Sequence, residues 1–128
     1  MSDPIWISSE ILVWAHNRQV AVHGGEAGPR DMRLLESALA GPREAHAHGE
    51  DDPCALAALY AAGIARKRPF VDGNARSAFL VCDLFLRANA ALLDAPDAEC
   101  IALTRMLDAG EINDLGFAEW LRERVRIA

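Results

Sequence analysis

Apolar side chains recur at helical spacing along most of the chain, in segments bounded by residues typical of helix ends. No alternation with a period of two extends far enough to indicate a strand. The pattern therefore predicts an all-α fold, one compact domain of about six helices over residues 1–128. The helices are expected from Ser8 to Gly24-Gly25, from Asp31 to Gly41-Pro42, from Asp52 to about Arg66, from Asn74 to about Ala88, from Asp94-Ala95-Pro96-Asp97 to Gly110 and from Asp114 onward.

The segment from Asn74 to about Ala88 has the apolar face of a central helix and is expected to be the most buried of the six. Asn89 suits a left-handed residue at its end. Its predicted core positions are Ala78, Phe79, Cys82, Phe85 and Leu86. The first helix is expected to bury Ile11, Leu12, Ala15, Gln19 and Val22, and the sixth Leu115, Ala118, Leu121 and Val125. Loops are expected at Glu26–Arg30 and Arg43–Asp51.

Composition narrows the class of protein. Hydrophobic residues make up 52% of the chain, so it can bury a core, and the net charge of −6 argues against nonspecific binding to nucleic acid or an acidic membrane. No transmembrane run or signal peptide is recognisable. The cysteines, Cys54, Cys82 and Cys100, indicate buried thiols in a reducing cytoplasm. No zinc is expected from them with His46 and His48, since none of these residues has the spacing of a zinc knuckle.

The chemistry is concentrated in a polar turn, Arg68 to Arg76, between the third and fourth helices. Pro69 and Gly73 interrupt helical structure there, and Asn74 is predicted to cap the next helix. The first backbone N–H groups of a helix have no partner within it, so they and the two arginines indicate an anion site. Asp72 supplies a carboxylate suited to Mg²⁺ beside a polyphosphate.

The stretch RPFVDGNAR resembles the signature loop of the Fic/Doc superfamily. The segments Leu34–Leu39, Ala61–Arg66 and Phe79–Asn89 resemble its death-on-curing (Doc) toxin branch in order and spacing, and the similarity runs from about Ile5 to Leu121. The resemblance implies the helical Fic/Doc fold, in which a central buried helix follows the signature loop.

The resemblance also implies a function. Such proteins use ATP or another nucleotide with Mg²⁺ to transfer phosphate or AMP to a Ser or Thr hydroxyl of a protein, for which the Doc branch suggests elongation factor Tu. A bacterial, cytoplasmic toxin is expected, paired with an antitoxin of the prevent-host-death type, with no direct contact to nucleic acid or membrane. By resemblance, the loop anchor is Phe70, the Mg²⁺ ligand is Asp72, and the nucleotide phosphates are bound by Gly73, Asn74, Ala75 and Arg76.

Two positions depart from the family pattern. Arg68 stands where the family has the histidine that acts as general base, and arginine has no lone pair with which to accept a proton. Ala75 replaces the lysine of the Doc branch or the glycine of the adenylylating branch, so the direction of transfer stays open. Two interpretations of Arg68 stay open. Its side chain is either solvated and merely replaces a lost catalytic residue, or its guanidinium fork binds a phosphate or a protein carboxylate. A distant histidine acting as substitute base cannot be placed from the sequence; the candidates are His16, His23, His46 and His48.

Three functions are therefore compatible with the sequence. The first is a Doc-type toxin whose catalysis is impaired by Arg68. The second is a non-catalytic Fic-fold module that binds an anion, a nucleotide or a partner protein. The third is an enzyme inactivated by a substitution at position 68 that relieves toxicity. The inhibitory motif S/T-x-x-x-E-G/N of some Fic proteins is not recognisable, so a separate antitoxin is expected near the C-terminal helices, where Trp120 is either a contact or part of the core.

Overall fold

A computed structural model describes residues 3–128 and confirms the compact helical fold. Two short strands, which the sequence pattern did not indicate, pair antiparallel with Ala91 opposite Ile127. Strands of this length are too short to show an alternating pattern. The elements in chain order are α1 (Ser9–His23), α2 (Met32–Ala47), α3 (Pro53–Lys67), α4 (Asn74–Ala88), β1 (Ala91–Leu93), α5 (Asp97–Asp108), α6 (Asp114–Arg124) and β2 (Val125–Ile127).

Side-chain caps begin α1, α2 and α3 where the sequence predicted them, whereas α5 begins at Asp97 without a side-chain cap. Ser8 accepts from the backbone N–H of Ile11, and Asp31 from those of Arg33 and Leu34. Asp52 caps α3, with Pro53 at the first helical position, where its missing N–H is not needed. At α6 the cap is Asn113, one residue before the predicted start.

The prediction that α2 stops at Gly41-Pro42 is wrong, because the helix continues to Ala47 with Pro42 buried inside it. A proline leaves the carbonyl four residues earlier without its helical donor. That carbonyl belongs to Ala38, and it faces Gly63 of α3 so closely that a Cβ on Gly63 would lie 2.8 Å from its oxygen. Close packing against α3 therefore stabilises α2 through the proline, and most of the predicted Arg43–Asp51 loop is helical.

Helix α3 lies at the centre of the core, which corrects the prediction that α4 is the most buried helix. Nine of its fifteen residues are buried, compared with seven of fifteen in α4. α4 is a central helix nevertheless, packed against α1, α3, α5 and β1. Its most buried aromatic side chain is Phe85, whereas Phe79 is only partly buried. The three cysteines are free and buried, as expected.

Several predicted core positions face outward. Ile11, Val22 and Leu115 are 47%, 78% and 69% exposed. Helix α1 has apolar residues on more than one side, so periodicity alone did not identify the side that packs; the residues it buries are Leu12, Ala15, His16 and Val20. After α4 the left-handed residue is Ala90, with φ 62°, and not Asn89, with φ −109°.

Both ends of the described chain meet at the C-terminal end of α4. The side chain of Asn89 accepts from the N–H of Ile5 and donates to its carbonyl. Strand β2 pairs with β1, and the N–H of Ala128 donates to the carbonyl of Ala90. The loop that carries the chemistry lies at the opposite end of α4. None of the helices described is long and apolar enough to cross a membrane.

Candidate functional site

The connection between α1 and α2 holds the loop of residues 68–76 from one side. The carbonyl of Pro69 accepts from the N–H groups of Arg30 and Asp31, at 2.7 and 3.3 Å. Phe70 forms an isolated antiparallel bridge with Pro29. These backbone bonds fix the entry to the loop, so the position of α4 relative to α2 does not depend on side chains alone.

Asn74 closes the loop on itself. Its Oδ1 accepts from the N–H of Phe70 at 3.0 Å, and its Nδ2 donates to the Phe70 carbonyl at 2.9 Å. Asn74 is therefore the first residue of α4 and not its cap, which corrects the prediction. The cap position is held by Gly73, with φ 75°, a conformation that favours glycine. A Cβ there would also lie 3.4 Å from Cε1 of His16.

The N-terminus of α4 opens on a cleft of about 930 Å³. Among residues 3–128, no side chain caps this helix, and the N–H groups of Asn74, Ala75 and Arg76 have no hydrogen-bond partner. The cleft is lined from the loop and α4 by Arg68, Gly73, Asn74, Ala75, Arg76 and Phe79, and from α5 by Ile101, Arg105 and Asp108. The fold thus gathers the predicted phosphate-binding residues at one opening.

The arginines around the cleft differ in whether they have an ion-pair partner. Within the described chain, Arg76 and Arg105 have no ion-pair partner, whereas Nη1 of Arg68 lies 2.7 Å from Oδ1 of Asp108. Arg66 pairs with Asp114 and lines a separate, smaller cleft. The cations available to a ligand therefore come from α4 and α5, and Arg68 already has a carboxylate partner.

Asp72 is turned away from the cleft. Its Oδ2 accepts from the N–H of Glu26 at 2.9 Å, its Cβ lies against Gly25, and it is not among the cleft-lining residues. No group of three or more metal-ligating side chains occurs in the part of the chain that the structure describes. In this arrangement the residues do not fit a Mg²⁺ site facing the α4 N-terminus. A metal role for Asp72 stays a prediction that requires its carboxylate to leave Glu26.

His16 lies directly beneath the loop, a placement that the sequence did not reveal. Its ring stacks on Phe70 with centroids 3.8 Å apart, and its Nδ1 is 2.8 Å from Oγ of Ser77 in α4. Nε2 is buried and no described residue hydrogen-bonds to it. Burial lowers the pKa of His16; the nearby backbone of Glu26 opposes this shift, and Arg76 adds to it. The His16 ring is 1% exposed and supports the loop from below without lining the cleft, whereas His23, at the end of α1, does line it.

We expect the free energy of unfolding to fall as the pH drops below the ordinary histidine pKa of 6.5. Above that pH His16 is neutral in both states. Below it the unfolded chain takes up a proton that the folded chain resists, so stability is lost as the pH falls toward the depressed pKa. The slope approaches about 1.4 kcal/mol per pH unit for one proton. Urea unfolding between pH 5 and 8, a window of roughly three units around this pKa, measures it.

Matched variants isolate this contribution. His16→Asn keeps a polar side chain near Ser77 but cannot titrate, so its unfolding curve should depend less steeply on pH. His46 acts in the opposite direction: its bond to the Glu50 backbone raises its pKa, so the stability it adds is present below pH 6.5 and is lost as the pH rises. His46→Asn should therefore remove a decline in stability above pH 6.5 and leave the slope below that pH nearly unchanged. An unchanged slope in His16→Asn would contradict the assignment.

Comparison with known proteins identifies the family. The sequence model of the Fic/DOC family matches residues 6–86, which include the loop and nearly all of α4. The chain belongs to the Fic/DOC family. The Fic/DOC chain is also 32% identical over 118 residues to the protein kinase doc of Escherichia phage P1, covering 91% of this chain and 92% of that protein. The resemblance inferred from the loop is thereby confirmed.

Two features of this Fic/DOC cleft had no sequence signal. Arg105 and Asp108 lie in the last turn of α5, well outside the signature loop, and their spacing is unremarkable for a helix. His16 lies 61 residues before its partner Ser77. Only the way in which α1 and α5 pack against α4 brings these residues to the loop.

Proposed function

We propose that the chain is a Doc-like protein whose cleft binds the phosphates of a nucleotide at the N-terminus of α4. One observation carries this proposal. The unpartnered N–H groups of Asn74, Ala75 and Arg76 open on the same cleft as the unpaired Arg76 side chain.

Electrostatics favour an anion there. A helix N-terminus carries a partial positive charge, so an arginine in the first turn is unfavourable unless an anion compensates it. Arg76 is in that turn and has no carboxylate partner in the described residues. A phosphate group accepts from backbone N–H groups and from a guanidinium fork at once. The same groups stabilise negative charge on a phosphoryl group in transfer, where positioning and electrostatics provide most of the catalysis.

The proposed reaction is transfer of phosphate or AMP from a nucleotide such as ATP to a Ser or Thr hydroxyl of a protein. Arg68 makes it slow. General base catalysis typically contributes about 10²–10⁴-fold, and a guanidinium that stays protonated cannot supply it. The Arg68 side chain is also paired with Asp108. The identity of the nucleotide and a role for Mg²⁺ are parts of the proposal. So is the direction of transfer, which Ala75 leaves open between phosphate and AMP.

Partners are proposed on the same basis. The Doc-like sequence supports a toxin held by an antitoxin, with elongation factor Tu as the suggested target. Trp120 is not available for such a contact, since it is 8% exposed and its Nε1 donates to Glu99. The two most exposed of the large apolar side chains of α1 are Val22 and Trp14, at 78% and 62%. This face of α1 is therefore one place to search for a partner, and the exposed Leu115 of α6 marks another.

A non-catalytic binding module is the second candidate. The ion pair of Arg68 with Asp108 favours it, because a side chain with a structural partner is compatible with a binding role that needs no base. Both functions require the anion site. The two functions predict different results for Arg68→His: transfer should return if the chain is an impaired transferase, and should stay absent if it is a binding module.

Arg76→Ala is expected to weaken binding of ATP or inorganic pyrophosphate by at least about tenfold, which corresponds to about 1.4 kcal/mol and is the scale of a charge-assisted hydrogen bond. The side chain is exposed and lines the cleft, so its loss should not unfold the protein. Isothermal titration calorimetry with and without Mg²⁺ measures the change.

Arg33→Ala is the matched control. Arg33 is an exposed arginine of α2 that does not line the cleft, so its removal changes the net charge equally and should leave the affinity nearly unchanged. Equal weakening in both variants would indicate a general charge effect and would remove Arg76 as a ligand.

A further inference from the structure

The ion pair of Arg68 and Asp108 spans the cleft from the loop to the end of α5. Nη1 of Arg68 is 2.7 Å from Oδ1 of Asp108, and both residues line the cleft. They are separated by 40 residues in the chain. The pair therefore joins two elements that border the space in which the proposed anion is bound.

Asp108 depends on Arg68 for a compensating charge. It is the last residue of α5, where the helix dipole is negative and a carboxylate is disfavoured. Arg68 is the cation that lies beside it. The Arg68 side chain is 54% exposed and that of Asp108 26%, so water and salt screen the pair. An exposed pair of this kind contributes little and can exchange for a stronger anion.

The backbone of Arg68 is fixed, so only its side chain can respond to a ligand. Its N–H donates to Ile64, and its carbonyl accepts from Nη2 of Arg30 at 2.9 Å. Its φ of 47° is left-handed, a conformation that bulky residues adopt rarely. A long guanidinium on a fixed backbone can leave Asp108 and turn into the cleft without a change in the loop.

We propose that Asp108 is an internal competitor for the anion site. It holds the Arg68 guanidinium while the cleft is empty and releases it to a phosphate bound at the N-terminus of α4. Arg68 is then a second phosphate ligand beside Arg76, and Asp108 sets the affinity and its dependence on salt. This inference rests on the proposed anion site.

Asp108→Asn should tighten binding of inorganic pyrophosphate about three- to fivefold, the range expected when an exposed ion pair no longer competes. Most of that gain in affinity should disappear when Arg68→Ala is also present, because Asp108 then has no guanidinium to withhold from the phosphate. The substitution of aspartate by asparagine retains the shape of the side chain, and neither partner is buried, so the fold should be unaffected. Thermal melts of all variants check this.

Asp83→Asn is the control for net charge. Asp83 also lines the cleft, but it pairs with Arg87 on its own helix and not with Arg68. Removing its charge should tighten binding less than Asp108→Asn does, and the effect should be the same with or without Arg68.

Calorimetric titration of the full chain with pyrophosphate at low salt gives distinct outcomes. A gain in Asp108→Asn that requires Arg68 supports the inference. An unchanged or weaker affinity in Asp108→Asn, or a gain that persists in Arg68→Ala, overturns it while leaving the anion site intact, provided that binding still depends on Arg76. If neither the native chain nor Asp108→Asn binds pyrophosphate, the inference and the proposed anion site both fail.

Discussion

Arg68→His is expected to raise the transfer of labelled phosphate or AMP to a bacterial protein by about 100-fold or more. An imidazole with a pKa near 6.5 supplies the lone pair that arginine lacks. Histidine is also among the residues that tolerate the left-handed backbone, so the φ of 47° at this position should persist.

The measurement is incorporation of label from ATP into proteins of a bacterial lysate, with growth on expression as a second readout. Arg68→Gln is the control, because it removes the charge without adding a base and should stay inactive. Combining Arg68→His with His23→Gln tests whether the histidine already in the cleft contributes. Ala75→Lys in the same background tests the direction of transfer. If every histidine variant binds ATP and transfers nothing, the non-catalytic function becomes the better account.

Phe70→Ala is expected to lower the free energy of unfolding by about 3–5 kcal/mol, as for other large aromatic side chains removed from a core. The ring is 1% exposed and stacks on His16, and the backbone of Phe70 holds both hydrogen bonds of the Asn74 side chain. Losing the ring leaves His16 without its stacking partner and loosens the turn before α4. Phosphate binding should therefore weaken as well, although Phe70 does not line the cleft.

Phe79→Ala, in the neighbouring helix α4, is the comparison for Phe70→Ala in the loop. The sequence pattern placed Phe79 in the core, but it is partly buried on the wall of the cleft. Its removal should destabilise the chain by less than Phe70→Ala, since less apolar surface is re-exposed. Urea unfolding of both variants gives the comparison. A smaller loss for Phe70→Ala than for Phe79→Ala would contradict the assignment of Phe70 as the loop anchor.

The helix boundaries were predictable where local chemistry determines them. The hydroxyl of Ser8 and the carboxylate of Asp52 bond to N–H groups within the next three residues, so the sequence contains both partners. The continuation of α2 through Pro42 was not predictable in this way. It depends on the close approach of Gly63 in another helix, and no local preference encodes that contact.

The same distinction between local contacts and contacts with distant elements applies to the candidate site. The loop residues from Gly73 to Arg76 are contiguous, so their gathering at the cleft followed from the sequence and from the start of α4. The direction of Asp72 was not predictable, because its carboxylate bonds to Glu26, 46 residues earlier in the chain. The partner of Arg68 was not predictable either. The sequence allowed a protein carboxylate for its guanidinium, but only the packing of α5 beside the loop identifies that carboxylate as Asp108.

Ile5 and strand β2 both lie at the far end of α4, and this has a practical consequence for laboratory work. A helix of fifteen residues spans roughly 22 Å at 1.5 Å per residue, and the cleft opens at its other end. An affinity tag, a fluorescent reporter or a surface tether attached near Ile5 or after Ile127 should therefore leave the cleft accessible. Immobilising the chain through either of these positions is expected to present the α4 N-terminus to ligands in solution.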